Sequence, residues 1–173
     1  EIVLEEAFRM AMKKLDRRFG NSLKQLEDPL CFAIIGLGKL GGRELTYHSD
    51  LDLIIVHSGK SKASQNDRLL IQEYGVKLIQ RTIFLLTTIT RSGFAYTMDT
   101  RLRPSGNAGV LVTPWEVYFK YHRNSQAWEH QALVKGRIVA GATTQLESDG
   151  LIETIGEFSK PGWFQDVESG IEQ

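Results

Sequence analysis

The stretch CFAIIGLGKLGGRELTYHSDLDLIIVH, residues 31–57, contains the pattern that decides the fold. Its two apolar runs, residues 31–37 and 51–57, have the length and continuous hydrophobicity that are typical of buried strands. Three glycines follow the spacing G-x-G-x-x-G, in which a glycine turn lets the backbone approach a phosphate group. The stretch therefore predicts a strand, a glycine turn and a second strand, and the chemistry depends on what surrounds the turn.

A dinucleotide-binding fold fits this stretch poorly. In that fold the glycine turn opens a full crossover helix, and parallel strands are joined by about a dozen residues or more. Here only about eight residues separate Gly41 from the second run, and that run ends at His57 rather than at the acid that binds ribose. A P-loop is also excluded, because Lys39 is followed by Leu40 instead of Ser or Thr.

Two acids, Asp50 and Asp52, stand at the entrance of the second run. Alternate residues of a strand share a face, so we expect the two carboxylates side by side while Leu51 and Leu53 face the core. Carboxylates this close repel each other unless a divalent cation lies between them. Because Mg²⁺ prefers carboxylate and phosphate oxygens, the pair predicts a magnesium site that also holds substrate phosphates.

The segment FAYTMDTRLRP, residues 94–104, alternates in the manner of a strand and ends at a proline. The same two-residue period places Asp99, Arg101 and Arg103 on one face, which adds a third acid and two guanidinium groups for phosphate charge. Lys39, in the glycine loop, can also reach a phosphate. These groups together predict metal-assisted transfer of a nucleotidyl group, with arginines balancing the charge that grows on pyrophosphate.

The glycines Gly41 and Gly42 are expected to let backbone N–H groups approach the triphosphate. A short helix is predicted directly after them, and the positive end of its dipole would assist. The sequence therefore assigns the phosphate groups to the glycine turn and the metal to the acids.

Each charged residue in this set also has an ordinary structural interpretation. Asp50 can cap a turn, and Asp52 can pair with an arginine. Arg101 and Arg103 can be solvated charges of an edge strand, which contribute little to stability. Lys39 can equally be a solvated surface lysine.

The composition limits the class of protein. The chain has 173 residues, of which 42% are hydrophobic, and this suits one soluble domain, or one domain plus an appendage. Its 21 basic and 21 acidic residues balance, so no global charge indicates nucleic acid or a membrane as a partner. Cys31 is the single cysteine, which excludes an internal disulfide and fits a reducing cytoplasm. The start resembles neither a signal peptide nor a membrane span, and without an initial Met it suggests a piece of a longer protein.

Helices are predicted around these strands over residues 2–20, from a cap at Asp67 to residue 86, and over residues 125–140. The last of these carries charged residues that either border the nucleotide site or form ordinary helix surface: Glu129, Lys135 and Arg137. The apolar face of the first helix is expected to contain Ile2, Val3, Ala7, Met10 and Leu15.

Three motifs in order resemble the glutamate-ammonia-ligase adenylyltransferase family: GLGKLGGRELTYHSDLDLIIVH, DTRLRPSGNAGVLVT and YHRNSQAWEHQALVKGRIVAG. This family belongs to the DNA polymerase β-like nucleotidyltransferases, and the resemblance covers about residues 31–145. It implies an α/β (α+β) nucleotidyltransferase fold, with a small mixed sheet flanked by helices and helical segments at both ends. The implied layout is an N-terminal helix over 1–28, a catalytic domain over 29–145 and a helical tail over 146–173.

The resemblance also implies roles for individual residues. Catalytic metal ligands would be Asp50, Asp52 and Asp99, and the phosphate loop would contain Gly41, Gly42 and Ser49. The implied reaction uses ATP and Mg²⁺ and has glutamine synthetase as its protein substrate. Glutamine and the PII signal protein would regulate the full-length enzyme, and neither nucleic acid nor a membrane would take part.

Family members carry two such domains, of which one adenylylates glutamine synthetase and the other removes the adenylyl group by phosphorolysis. The motifs SDLDLI, RLRPSGNAGVLVT and WEHQAL look more like the adenylylating domain. We therefore expect transfer of AMP from ATP to a tyrosine hydroxyl of glutamine synthetase. Two alternatives stay open: phosphorolytic removal, and a nucleotide-binding regulatory module without catalysis.

Overall fold

A computed structural model describes residues 1–26, 30–47, 49–59, 63–91, 93–123 and 132–141. Its elements in chain order are α1 (Ile2–Leu23), β1 (Phe32–Gly36), α2 (Gly38–Gly41), β2 (Leu51–His57), α3 (Gln65–Thr87), β3 (Met98–Asp99), a 3₁₀ helix (Gly106–Ala108), β4 (Thr113–Pro114), α4 (Trp115–His122) and β5 (Arg137–Gly141). The predicted tail over residues 146–173 lies outside these ranges, and the predicted domain boundaries stay predictions.

The five strands form one mixed sheet in which β1 is the central antiparallel partner of both β2 and β5. The edge of β2 that faces away from β1 pairs in parallel with two short strands. The beginning of β2 pairs with β3, and the end of β2 pairs with β4. Because β1 and β2 run antiparallel, the short connection between them is sufficient and no crossover helix is needed. This small mixed sheet flanked by helices confirms the predicted fold class.

Both faces of β2 are buried. Leu51 and Leu53 lie with α1 and α3 in one apolar cluster, as the sequence predicts, and are at most 3% exposed. Ile54 and Val56 lie in a second cluster on the opposite face, against Tyr118 of α4. Asp52 lies on the same face as Ile54 and Val56 but nearer the beginning of the strand. On this face the acid therefore lies at the edge of the second apolar cluster.

The first helix is confirmed, although its buried face differs from the predicted one. Of the expected residues only Ala7 is buried, whereas Ile2, Val3 and Met10 are at least half exposed. The face that packs into the core instead contains Leu4, Ala7, Phe8, Ala11 and Phe19. Both sets satisfy a helical period, and burial of two phenylalanine rings removes more apolar area from water than burial of the alternative set.

The second long helix begins two residues before the predicted cap. Ser64 is its N-cap: the Oγ atom accepts a hydrogen bond from the Asp67 N–H and donates one to Asp67 Oδ2. Asp67 is therefore the third helical residue, in the position of the acid in a capping box. Among the described residues, no helix is both long and apolar enough to cross a membrane.

Two further predictions were wrong. The alternating segment 94–104 contributes only Met98 and Asp99 to a strand, because the chain turns from Thr100 on, whose backbone oxygen accepts the Arg103 N–H at 3.4 Å. The helix predicted to reach residue 140 is not present over its last part, since 137–141 form β5. Residues 124–131, including Glu129, lie outside the described ranges.

His57, at the end of β2, gives a testable pH dependence of stability. It is 4% exposed, its Nδ1 accepts the Gly59 N–H at 3.1 Å, and burial lowers its pKa to about 4. Below about pH 6.5 His57 therefore binds a proton in the unfolded chain, whereas in the folded chain it stays neutral until the pH approaches 4. The free energy of unfolding therefore falls as the pH falls from about 6.5 toward 4. Between pH 7 and 5 we expect this group to cost about 2 kcal/mol of unfolding free energy.

Urea unfolding at both pH values checks this expectation. His57→Asn keeps an acceptor near the Gly59 N–H without a titrating ring. The variant should lose clearly less stability than the wild type between pH 7 and 5. An identical loss in the two proteins would show that His57 is not the responsible group.

Candidate active site

The three predicted acids meet at the edge of the sheet formed by β2 and β3. In the parallel register Asp52 lies directly opposite Asp99, and side chains of such partners project from the same face. Asp50 immediately precedes β2 and accepts a hydrogen bond from Thr97 Oγ1, while Thr97 immediately precedes β3. The structure therefore brings Asp50, Asp52 and Asp99 together, although they are up to 49 residues apart in the chain.

Electrostatics distinguish Asp52 from its neighbours. Partial burial, followed by the charges of Asp99 and Asp50, raises the pKa of its carboxyl above the ordinary range. Within the part of the chain that the structure describes, this carboxylate makes no hydrogen bond or ion pair. The negative charge of Asp52 is thus disfavoured, and its carboxylate has no direct partner among the described residues. A bound cation would relieve this situation.

The other two carboxylates have protein partners. Arg101 donates to Asp99 through its backbone N–H at 2.9 Å and through Nε at 2.8 and 3.0 Å. These bonds, with the side-chain hydrogen bond as the largest cause, hold the pKa of Asp99 below its usual range. Over the described ranges, no group of three or more His, Cys, Asp or Glu side chains is arranged to hold a metal ion. In this structure the carboxylate of Asp50 accepts a hydrogen bond from Thr97, and that of Asp99 accepts hydrogen bonds from Arg101.

The glycine turn differs from the predicted arrangement. The short helix α2 begins at Gly38 and ends at Gly41, so it leads into the glycine pair rather than following it. The N–H of Gly41 donates to Leu37 O at 2.9 Å, and that of Gly42 to Gly38 O at 3.0 Å. These two N–H groups are therefore engaged inside the turn in this structure.

Close packing is what requires glycine here. A Cβ atom on Gly41 would lie 2.1 Å from the carbonyl oxygen of Lys135 and 2.8 Å from that of Gly36. Arg137, on β5, donates through Nε to Gly41 O at 2.8 Å and through Nη2 to Leu40 O at 3.0 Å. The guanidinium group that was predicted on a helix surface thus fixes the turn from the neighbouring strand. The role of Gly41 and Gly42 in a phosphate loop stays a prediction.

The predicted basic groups have different surroundings. Arg101 is 71% exposed and bonded to Asp99. Arg103 does not share that face, because the chain leaves the strand after Asp99; its Nη1 donates to Thr100 O at 2.7 Å and its Nε to Gly109 O at 3.3 Å. Lys39, on α2, is close enough for its charge to lower the pKa of Asp52. Arg101 and Lys39 act electrostatically on Asp52, and Arg101 and Arg103 act on Asp99.

Ser49 supports the acids through the backbone. Its Oγ accepts the Thr46 N–H at 3.1 Å and shares a hydrogen bond with Thr46 Oγ1 at 2.9 Å. This closes the turn that leads into Asp50. Lys135, which the sequence placed on a helix, pairs with Glu44 at 2.8 Å on the surface beside the glycine turn.

Gly38 is a site residue that sequence reasoning missed. It has φ of +50°, and a Cβ atom built on it would lie 2.7 Å from Asp52 Oδ2. The preceding Leu37 N–H donates to the backbone oxygen of Asp52 at 2.9 Å. The glycine spacing marked Gly38 only as part of a phosphate turn, whereas its contact is with the acid. Thr97 was likewise unmarked, since nothing local indicates that it faces Asp50.

Comparison with known proteins gives one consistent family. Residues 1–150 match the family described as glutamate-ammonia ligase adenylyltransferase. Similar proteins include the bifunctional glutamine synthetase adenylyltransferase/adenylyl-removing enzymes of Hahella chejuensis, 46% identical over 144 residues, and of Haemophilus ducreyi, 40% identical over 149 residues. The same enzyme of Pseudomonas putida is 41% identical over 147 residues.

These alignments cover 82–84% of this chain but only 15–16% of each relative. The chain therefore corresponds to a small part of much longer proteins. The matched residues include the glycine turn and all three acids.

Proposed function

We propose, since this chain belongs to the glutamate-ammonia ligase adenylyltransferase family, that it transfers AMP from ATP to a tyrosine hydroxyl of glutamine synthetase. The observation that carries the proposal is the cross-strand pairing of Asp52 with Asp99, with Asp50 beside them. Three acids at one strand edge, with Lys39 and Arg101 acting on their charges, are the groups that nucleotidyl transfer needs.

The donor set fits Mg²⁺. All three side chains offer carboxylate oxygens, which this hard cation prefers, and the raised pKa of Asp52 favours an added positive charge. When bound by Asp50, Asp52 and Asp99, the ion would neutralise their charge and polarise phosphate oxygens. Binding requires the Asp99 carboxylate to exchange its Arg101 hydrogen bonds for the ion, and Arg101 is exposed enough to turn toward a phosphate.

The residues of this chain would divide the remaining work. Lys39 and Arg101 hold the triphosphate and balance the charge that develops on the leaving pyrophosphate. Asp99 accepts the proton of the tyrosine hydroxyl as the oxygen attacks the α-phosphorus. Transfer of Arg101 to a phosphate would free the Asp99 carboxylate oxygens for this contact. Gly41, Gly42 and Ser49 shape the turn beside the phosphates, and Arg103 stabilises the loop after β3.

The proposal also specifies the direction of the reaction, which is adenylylation rather than removal of the adenylyl group. Adenylylation and phosphorolytic removal use the same acids, and the motif likeness favours adenylylation. A paired experiment separates them, each reaction containing this chain and Mg²⁺. One receives α-labelled ATP and unmodified glutamine synthetase; the other receives label-adenylylated glutamine synthetase and phosphate.

We expect label to move onto protein in the first reaction. Release of labelled ADP in the second reaction alone would instead assign phosphorolytic removal. ATP binding in the absence of either transfer would support the regulatory module. Asp52→Asn, tested alongside, should be inactive in whichever reaction the wild type performs.

The proposed setting follows the family. Glutamine and the PII signal protein would act through the full-length enzyme, and the reaction would take place in the cytoplasm, without nucleic acid or a membrane. A reducing compartment suits the single cysteine, Cys31, which is buried and forms no disulfide.

A further inference from the structure

A groove of about 890 Å³ lies beside the acids and has no role in the proposed function so far. One wall consists of Leu45, Thr46, Tyr47 and Ser49, and the other of residues 93–97. We call this the aromatic groove. Its volume is within the range of about 300–1,000 Å³ that is typical of small-molecule sites.

The aromatic rings of the groove are unusually accessible. Tyr47 is 98% exposed, Phe94 is 54% exposed and Tyr96 is 37% exposed. Folding gains little from rings that stay in water, because their apolar area is not removed from solvent. Exposed rings that line one concave surface are typical of a binding site, where a planar ligand supplies the missing contact.

One end of the aromatic groove is formed by residues that contact or adjoin the acids of the candidate active site. Thr97 lines the groove and donates a hydrogen bond to Asp50, and its backbone oxygen accepts the Leu51 N–H at 2.9 Å. Ser49, on the opposite wall, directly precedes Asp50. A ligand in the groove would therefore extend directly toward the acids.

The chemistry of the two regions is complementary. The described residues that line the groove offer aromatic rings and hydroxyl groups and carry no charged side chain. The charged groups, including Lys39 and Arg101, lie beyond Asp50, at the acids. A nucleoside triphosphate has this same division, with a neutral planar base at one end and anionic phosphates at the other.

We propose that the aromatic groove binds the adenine base of ATP, with Tyr47 and Phe94 as the stacking residues. The inference rests on the proposed use of ATP by the neighbouring acids. Stacking of a base on an aromatic side chain contributes about 1–3 kcal/mol. The hydroxyl group of Tyr96 is the candidate hydrogen-bonding partner for the base edge.

Binding of two probes tests the inference: ATP and inorganic tripolyphosphate, each with Mg²⁺, measured by titration calorimetry on this chain. Tyr47→Ala and Phe94→Ala should each weaken ATP binding by about 5-fold to 100-fold and leave tripolyphosphate binding unchanged. Phe84→Ala is the matched control, since Phe84 is 53% exposed on α3, outside the groove, and should alter neither affinity. Tyr47 and Phe94 are exposed, so thermal unfolding of the variants should match the wild type.

Several outcomes would overturn the inference. ATP affinity that stays the same in Tyr47→Ala and Phe94→Ala, or falls together with tripolyphosphate affinity, would exclude base stacking. An unchanged ATP affinity with a raised KM for glutamine synthetase would assign the groove to the protein substrate instead. The proposed function fails separately: a wild type that binds ATP through the groove but transfers no AMP refutes the function and leaves the base site standing.

Discussion

Replacing Asp52 by asparagine should lower the rate of AMP transfer by at least about 10³-fold without reducing stability. Asparagine keeps the size of the side chain but removes the charge that would attract the cation. The raised pKa of Asp52 means that the folded state disfavours its ionised form. Above the unfolded pKa of this group the charge therefore costs stability, and at pH 7 the neutral variant should unfold at the same or a higher urea concentration.

Turnover with α-labelled ATP and urea unfolding of the same preparations measure both effects. Asp67→Asn is the control, because Asp67 is an acid in the first turn of α3, outside the candidate site. It should retain wild-type turnover. An Asp52→Asn protein with near wild-type turnover would remove Asp52 from the mechanism, and a clearly less stable one would contradict the electrostatic account.

Gly38→Ala should reduce transfer by about 10²-fold, because the new methyl group would displace the Asp52 carboxylate from its position. The Cβ atom would lie 2.7 Å from Asp52 Oδ2, and the backbone has φ of +50°. The positive φ alone costs an alanine about 1–2 kcal/mol, so a loss of stability by itself would not identify the contact with the acid.

Gly106→Ala separates the two effects. Gly106 has φ of +53°, almost the same as Gly38, and a Cβ atom there would meet only Arg101 O, at an ordinary 3.6 Å. Both variants should therefore lose similar stability, whereas only Gly38→Ala should lose most of its turnover. Equal losses of turnover in the two variants would show that the contact between Gly38 and Asp52 does not matter.

The sequence predicts those parts of the fold that short-range patterns specify. Two continuous apolar runs predicted β1 and β2, and the two-residue period of a strand placed Leu51 and Leu53 in the core. The same period put Asp50 and Asp52 together. Asp99 was recognised as a third acid, and the parallel register of β2 and β3 pairs it with Asp52 across the sheet.

Other features depend on contacts that no local pattern contains. The period of α1 is compatible with two buried faces, and the positions of α3 and β5 select the one that contains Phe8 and Phe19. Alternation after Asp99 predicted a longer strand, yet the turn that begins at Thr100 ends it and takes Arg103 out of the strand. Arg137 reaches the glycine turn only because β5 pairs with β1, 96 residues after Gly41.

The central claim is that the acids at the edge of β2 and β3 form a metal-dependent centre for AMP transfer. Its most direct test is the amount of α-label that this chain transfers from ATP to glutamine synthetase as Mg²⁺ is varied. The account predicts no transfer in the presence of EDTA, and transfer that rises to saturation with added Mg²⁺ and depends on Asp52. Label transfer that continues undiminished in EDTA would contradict it.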